Sequence, residues 1–312
     1  MKFTHKHIFM ILMAMTVHLL SSCHKEKPEV TKPDFALSAQ VQALEYNGTS
    51  IWGKQGELGV FVAKSRTTDI LEGNDNLKYT TTFQTQTTRL TPADQKMNLP
   101  KNGNLADIIA YYPYIHEFGS KGSSKTVYAI DLQDQKARNP DILLIGRAND
   151  CSTTINSATV SLKPVLAKLN VKLKNQHATK SSEEDIRIQL SKIRCKAEID
   201  VLNGTYISYG EAETTDMIQP SESVYAYEAI LPAHTTEAEA RLTVIFPESA
   251  RQDPLAVNLY SYVSEFKPNS QYDLEVTVSP EGIKAVLVSM SEFSVTDWYE
   301  DKDDIYGNIN NK

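Results

Sequence analysis

Apolar and polar residues alternate along most of this 312-residue chain, which is the pattern of half-buried β-strands. The clearest case runs from Val165 to Leu173, where Val, Ala and Leu alternate with Lys and Asn. No window longer than about ten residues keeps the 3.6-residue period of an amphipathic helix. The pattern predicts strands at residues 35–44, 57–64, 108–112, 127–132, 141–145, 165–173, 186–190, 193–201, 224–231, 242–246, 255–263, 272–278 and 283–288.

Clusters of Gly, Asn, Pro and Ser separate these strands, so the sequence predicts an all-β fold built of antiparallel β-sandwiches. Without its first 22 residues the chain keeps 290, which is more than one core usually supports. Apolar residues are sparsest at about 147–156. We therefore predict an N-terminal β-sandwich domain at 35–156, a C-terminal one at 157–298, and a polar acidic tail at 299–312.

The N-terminus has the organisation of an export signal. Two lysines precede an apolar run at residues 8–20, which is too short to span a membrane and fits the core of a secretory signal peptide. The run ends in Leu-Ser-Ser-Cys, a sequence that resembles the lipobox of bacterial lipoproteins. The resemblance implies removal of residues 1–22 and acylation of Cys23, for example with palmitate. Residues 23–34 would then be an acylated tether to the outer membrane.

Charge excludes one class of partner. The chain holds 32 basic and 39 acidic side chains, and only two lysines leave with the signal, so the mature chain has 30 against 39, or −9. Sequence-independent nucleic-acid binding relies on Lys and Arg neutralising phosphates, so we expect no nucleic-acid partner. An acidic surface is not attracted to anionic lipid either, so the acyl chains must supply the membrane affinity.

Two cysteines remain in the mature chain after Cys23. Cys151 and Cys195 would meet an oxidising compartment in an exported protein and could pair there. Closing that loop would stabilise the fold by roughly 4 kcal/mol on the chain-entropy model. Two free, buried thiols are the alternative, and the sequence leaves both open.

The chain shows no constellation of catalytic or metal-binding residues. No His of the mature chain has a second His or a Cys three or four positions away, and the G-x-S-x-G and H-E-x-x-H motifs do not occur. The acidic run at 300–304 lacks the spacing of an EF-hand loop, because Ile305 and a displaced Gly307 stand where it needs other residues. We expect no enzyme activity and no cofactor.

Eight short segments resemble the fimbrillin family, in that family's order. They are Trp52-Gly53-Lys54-Gln55-Gly56-Glu57-Leu58-Gly59-Val60-Phe61, Asn76-Leu77-Lys78-Tyr79, Ala110-Tyr111-Tyr112-Pro113-Tyr114, Asp141-Ile142-Leu143, Val160-Ser161-Leu162 with Leu166-Ala167-Lys168-Leu169, Ile230-Leu231-Pro232, Asn269-Ser270-Gln271-Tyr272 and Phe293-Ser294-Val295-Thr296-Asp297-Trp298. The chain departs from the family at Lys163-Pro164-Val165, where Phe-x-His is common, and at Asn269, which takes the place of a turn glycine. Neither departure alters the β pattern.

The resemblance implies two tandem transthyretin-like β-sandwich domains in a lipid-anchored, surface-exposed protein of a Gram-negative anaerobe. Its partners would be other fimbrial subunits, bound by strand exchange, and a host protein or glycan receptor. The predicted function is that of a fimbrial subunit or a fimbria-associated adhesin. A stand-alone, lipid-anchored module that binds a glycan or another ligand is the alternative.

Proteolytic processing distinguishes the kinds of fimbrillin. In polymerising members of the best-known type, a protease cuts after an arginine that follows the first strand, which opens a groove for another subunit's strand. This chain has no arginine before Arg66, and Lys54 is the only basic residue between its first two predicted strands. We therefore predict cleavage at Lys54 or no cleavage, and favour an accessory or anchored subunit over a shaft subunit.

Overall fold

A computed structural model describes residues 35–41, 56–81, 87–101, 103–118, 126–135, 142–175, 186–219 and 225–293. Their regular structure consists of twenty β-strands, with short 3₁₀ turns at Glu248–Ala250 and Leu259–Ser261 and no α-helix among these residues. The structure thus confirms the predicted all-β class, and its packed sheets agree with β-sandwich domains. The transthyretin-like detail of each domain stays a prediction.

Seven strands form a sheet that closes on itself in the order β1-β4-β3-β2-β5-β7-β8. A parallel pairing between β1 and β8 makes the closure, whereas the other pairings in this sheet are antiparallel. The strands are β1 (Ala36–Val41), β2 (Gly56–Lys64), β3 (Leu77–Thr81), β4 (Thr87–Pro92), β5 (Ala106–Tyr112), β7 (Leu144–Cys151) and β8 (Ser157–Pro164).

The middle strands of this barrel are apolar on both faces. In β2 the six consecutive residues 58–63 are all buried, and Leu58, Val60, Phe61, Val62 and Ala63 have no exposed surface. One face lies toward the barrel interior, and a separate sheet of order β12-β11-β6 contributes side chains to the same core. Its strands are β6 (Val127–Asp131), β11 (Lys196–Asp200) and β12 (Thr205–Tyr209). Burial on both faces explains why β2 reads as a continuous apolar run instead of an alternation.

A second core lies between two four-stranded sheets. One has the order β14-β9-β19-β20 and the other the order β13-β10-β16-β17, with a small β15-β18 pair beside them. The strands are β9 (Leu166–Asn175), β10 (Arg187–Arg194), β13 (Ala212–Asp216), β14 (Ala226–Pro232), β15 (His234–Thr235), β16 (Arg241–Ile245), β17 (Leu255–Asn258), β18 (Glu265–Phe266), β19 (Ser270–Ser279) and β20 (Gly282–Glu292).

The alternation from Val165 to Leu173 becomes strand β9, as predicted. Ala167, Leu169, Val171 and Leu173 are all buried in the second core. Asn170, on the opposite face of β9, is only partly exposed. Its Nδ2 donates to Asp273 Oδ1 at 2.8 Å, and its own Oδ1 is buried without a hydrogen-bond partner among the described residues.

The observed strand ends differ from the predicted ones at most strands, and three of the differences concern where a strand divides, ends or begins. The run 193–201 is divided at Cys195, because β10 belongs to one sheet and β11 to another. The run 255–263 ends as a strand at Asn258, whose side chain accepts a hydrogen bond from Ser261 N and caps a 3₁₀ turn. The strand predicted at 141–145 begins later, at Leu144, although Ile142 and Leu143 are buried before it.

The boundary predicted after residue 156 stays a prediction. Strand β8, which begins at Ser157, pairs with β1 and β7 of the closed sheet. Along the chain, membership of the buried clusters changes between Leu166 and Ala167. Strand β8 therefore packs with the first core, and the second core begins with β9.

Candidate assembly site

Strand β1 occupies a slot between β4 and β8 of the closed sheet. It runs antiparallel to β4, with Leu37 opposite Leu90, and parallel to β8, with Val41 opposite Leu162. Leu37, Ala39 and Val41 point into the first core and are at most 1% exposed. Without β1, two backbone edges and an apolar groove would be open, which is the arrangement that accepts a strand from another chain. In the structure β1 fills the slot.

Strand β2 holds a different position from β1. It lies between β3 and β5, and its side chains Leu58, Val60 and Phe61 have no exposed surface. Its loss would remove the middle of the first core along with β1. A cut at Arg66, which follows β2, would therefore cost far more buried apolar surface than a cut between β1 and β2.

Arg66 lies in a tight turn after β2, with φ of 60°. Its backbone N–H donates to Asp107 Oδ2 at 2.7 Å, and its guanidinium Nη2 lies 3.2 Å from Asp150 Oδ2. The Asp150 carboxylate also accepts a 2.6 Å hydrogen bond from the Ser65 hydroxyl. This hydroxyl first, and then Arg66, lower the pKa of the Asp150 carboxyl. The candidate processing residue thus takes part in a hydrogen-bonded turn.

Asp107 is the centre of this network, and sequence reasoning missed it. The side chain is completely buried on β5, where Oδ2 accepts Arg147 Nε at 2.9 Å and Nη2 at 2.8 Å, and Oδ1 accepts Asp150 N at 2.9 Å. Asp150 has φ of 56°, so Asp107 holds two left-handed turns, at Arg66 and Asp150. Removing one member of a buried ion pair typically costs 3–5 kcal/mol. The sequence signal was an acid directly before the apolar run of β5.

Strand β20 is the edge strand of the β14-β9-β19-β20 sheet, which encloses the second core. In the described part of the chain it pairs with β19 alone, and a bulge lies at Val288, between the pairs Asp273–Ser289 and Leu274–Leu287. Val286, Val288 and Met290 are 57–63% exposed and Leu287 is 36% exposed. A long edge strand with exposed apolar side chains is a template for backbone pairing with another chain.

The two cysteines are free, buried thiols. Cys151 lies in the first core and Cys195 in the second, so the pairing weighed from the sequence is absent from the structure. Burial raises the pKa of the Cys151 thiol, and raises that of Cys195 to about 12. At neutral pH both are protonated, and a thiol reacts mainly as the thiolate.

Other predicted features lie partly outside the described residues. Cys23, Lys54 and the tail 299–312 fall there, so lipidation and processing at these positions stay predictions. No group of three or more His, Cys, Asp or Glu residues in the described ranges is placed to hold a metal ion. Over the same ranges, no helix is long and apolar enough to cross a membrane.

Residues 43–298 match the sequence model of the fimbrillin-like family. The all-β fold and this match together place the chain in the class of the fimbrial proteins. This chain belongs to the fimbrillin-like family, as its sequence segments predicted. No curated protein sequence matches the chain.

Solved structures with the same fold are distant in sequence. A candidate cell adhesion protein from Bacteroides uniformis superposes with a TM-score of 0.69 at 20% identity, covering 84% of this chain and 98% of that one. A second candidate cell adhesion protein, from Bacteroides ovatus, superposes with a TM-score of 0.64 at 16% identity, and the match covers 84% of this chain and 98% of that one. The tip fimbrial protein Mfa3 from Porphyromonas gingivalis, truncated at its C-terminus, superposes with a TM-score of 0.50 at 12% identity, and the match covers 84% of this chain and 100% of that one. At these identities the likeness establishes the fold alone.

Proposed function

We propose that this chain is a non-enzymatic, lipid-anchored surface protein, acting as an accessory or anchored fimbrial subunit or a fimbria-associated adhesin. Family membership supports the fimbrial or adhesive role. The observation that carries the accessory role is strand β1, seated in its slot with Leu37, Ala39 and Val41 buried. A subunit that keeps β1 cannot accept a donor strand at this place, so it terminates a fimbria or sits at its base.

Arg66 is a poor processing site on this proposal. Cutting there would remove β2, the middle strand of the first core, and would break the turn held by Asp107. A cut at Lys54 would release β1 alone. An intact chain or a cut at Lys54 is therefore compatible with a folded protein, and only the cut opens the slot.

N-terminal sequencing of protein taken from the cell surface tests this point. We expect a blocked, acylated Cys23, or a start at Gln55 if Lys54 is cut. Lys54→Gln should abolish the second product, and Arg66→Gln should change nothing. Protein that starts at Thr67 would refute the accessory role.

The lipid anchor needs a separate test. Cells grown with a tagged fatty acid should label the wild-type protein but not Cys23→Ala, because the sulfur carries the lipid. Equal label in both would end the claim of lipidation at Cys23. Microscopy with an antibody then reports whether the protein lies at the cell surface and in fimbriae.

Strand complementation of a second kind is available at β20. Its exposed edge supports addition of a neighbouring subunit's strand through backbone hydrogen bonds. A lysine on an edge strand opposes such pairing. Val286→Lys or Met290→Lys should therefore weaken the multimers on unboiled gels. The control is Tyr260→Lys, which changes an exposed aromatic residue outside β20 and should leave the multimers unchanged. Complete absence of multimers in wild type would favour a stand-alone binding module.

A further inference from the structure

A polar pocket of about 400 Å³ opens between the segment that follows β6 and strands β10 and β13. This pocket has no signature in the sequence, because its residues come from three separate regions of the chain. By the volume that water occupies in the liquid, the pocket holds about a dozen water molecules. That is comparable to the non-hydrogen atoms of a single hexose. The pocket is therefore large enough for a small ligand.

Two buried residues fix the wall of this pocket. Gln135 is 2% exposed, and its amide exchanges hydrogen bonds with the backbone of Ile230: Oε1 accepts Ile230 N at 2.8 Å and Nε2 donates to Ile230 O at 2.5 Å. Thr215 is 3% exposed and its hydroxyl donates to Gln133 O at 2.7 Å. These bonds join the segment after β6 to β13 and β14. The pocket is thus preorganised, which lowers the entropy cost of binding.

The remaining lining side chains are carboxylates, amides and a hydroxyl. Gln189 and Asp216 are register partners on β10 and β13, and Gln189 Nε2 donates to Asp216 Oδ1 at 3.0 Å. Arg187 Nη1 lies 3.3 Å from Asp216 Oδ2 and orients the same carboxylate. Asp134 and Thr214 complete the lining. No aliphatic or aromatic side chain is among the residues that line the pocket in the described part of the chain.

This lining selects a class of ligand by its chemistry. Because the described side chains that line it are all polar, the pocket gains little from binding a hydrophobic molecule. Two carboxylates, of which one is paired with Arg187, disfavour an anion. Carboxylate and amide side chains match a ligand whose hydroxyls each donate and accept hydrogen bonds.

We propose that the pocket formed by Gln133–Gln135, Gln189 and Thr214–Asp216 binds a neutral saccharide. The inference rests on the adhesin part of the proposed function and gives that adhesin a ligand class. It does not depend on strand complementation, because the pocket includes neither β1 nor β20.

Saturation-transfer NMR on the detergent-solubilised full chain tests the proposal. The probes are the methyl glycosides of glucose, galactose, mannose, fucose and N-acetylglucosamine, together with methyl glucuronide. We expect saturation transfer to at least one neutral glycoside and none to the glucuronide, which the carboxylates repel. Thr214→Val, an isosteric change at an exposed strand position, and Asp216→Asn should each weaken binding by tenfold or more.

The control variant is Asp69→Asn, an exposed aspartate outside the pocket, which should bind as wild type does. Melting temperatures of all variants separate lost binding from lost fold. The proposal is overturned if no neutral glycoside binds, if glucuronide binds as well as the neutral sugars, or if both pocket variants bind normally. Multimers on unboiled gels should be the same in all variants, so failure here is distinguishable from failure of the fimbrial proposal.

Discussion

The strongest test of the slot is to place a charge on the buried face of β1. Leu37→Asp puts a carboxylate where the wild-type side chain is 1% exposed, in the first core. Burying an unpaired charge costs more than letting the strand detach, so we expect β1 to leave its slot. The matched control is Ser38→Asp, because the next residue lies on the opposite face and Arg89 is its register partner on β4.

The cost of detachment follows from the side chains that β1 buries. Leu37 and Val41 each stabilise the docked strand by about 1.5–3 kcal/mol and Ala39 adds less, so the apolar contribution of β1 is about 4–6 kcal/mol at most. A whole domain is stable by about 5–15 kcal/mol. Leu37→Asp removes roughly 2–3 kcal/mol before any charge penalty, so β1 can open while the rest of the barrel stays folded.

Hydrogen exchange of the β1 amides measures this opening directly. The loss of about 2–3 kcal/mol from the apolar side chain alone corresponds to exchange about 100-fold faster in β1. The charge penalty adds to this loss, so we expect at least that acceleration in β1, with β2 amides nearly unchanged. Multimers on unboiled gels should increase in Leu37→Asp, since the empty slot can accept a strand from a neighbour. Equal exchange of the β1 amides in Leu37→Asp and Ser38→Asp, or opening of β2 together with β1, would show that β1 is not an independently detachable strand.

Three further predictions concern the cores. Leu169→Ala should lower the unfolding free energy by about 2–5 kcal/mol in urea titration, because Leu169 is fully buried. The control Lys172→Ala, at an exposed position of the same strand, should change it by less than about 0.5 kcal/mol. Equal effects of the two substitutions would contradict the assignment of faces. Gly59→Ala should also be strongly destabilising in the same titration, because a Cβ there would lie 1.9 Å from the Tyr111 ring, and a neutral result would show that the ring can move. Burial lowers the pKa of His234 below its unfolded value of 6.5, so as the pH falls the unfolded state takes up a proton before the folded state does. The melting temperature should therefore fall as the pH drops below about 6.5. His234→Gln should flatten that pH dependence, and an unchanged slope would exclude this histidine as the cause.

Several polar strands were not predicted, and the reason is physical. Together β4, β12 and β13 are rich in Thr and bury few side chains: two in β4, one in β13 and none in β12. A strand that buries few side chains has no apolar period to read. Backbone pairing with its neighbours positions such a strand instead, and that pairing leaves no mark on its own sequence.

Other features depend on residues far apart in the chain. Nothing in the sequence near Asp107 indicates that its carboxylate meets Arg147 and the backbone of Arg66 and Asp150. The pocket beside Gln189 likewise needs side chains from three regions. Their assembly is a matter of tertiary structure, so the candidate saccharide site was beyond sequence reasoning.

The sequence by itself determined the β class, the family and the inward face of β9, because each of these is recorded in neighbouring residues. Alternation with period two directs every second side chain to one face, whatever the partner strand is. Only the tertiary structure decided that β1 fills the slot between β4 and β8, that β10 and β11 enter different sheets, and that Asn170 is held by Asp273. Those outcomes depend on which distant strands pair, and long-range pairing is set by the combined packing of the whole fold.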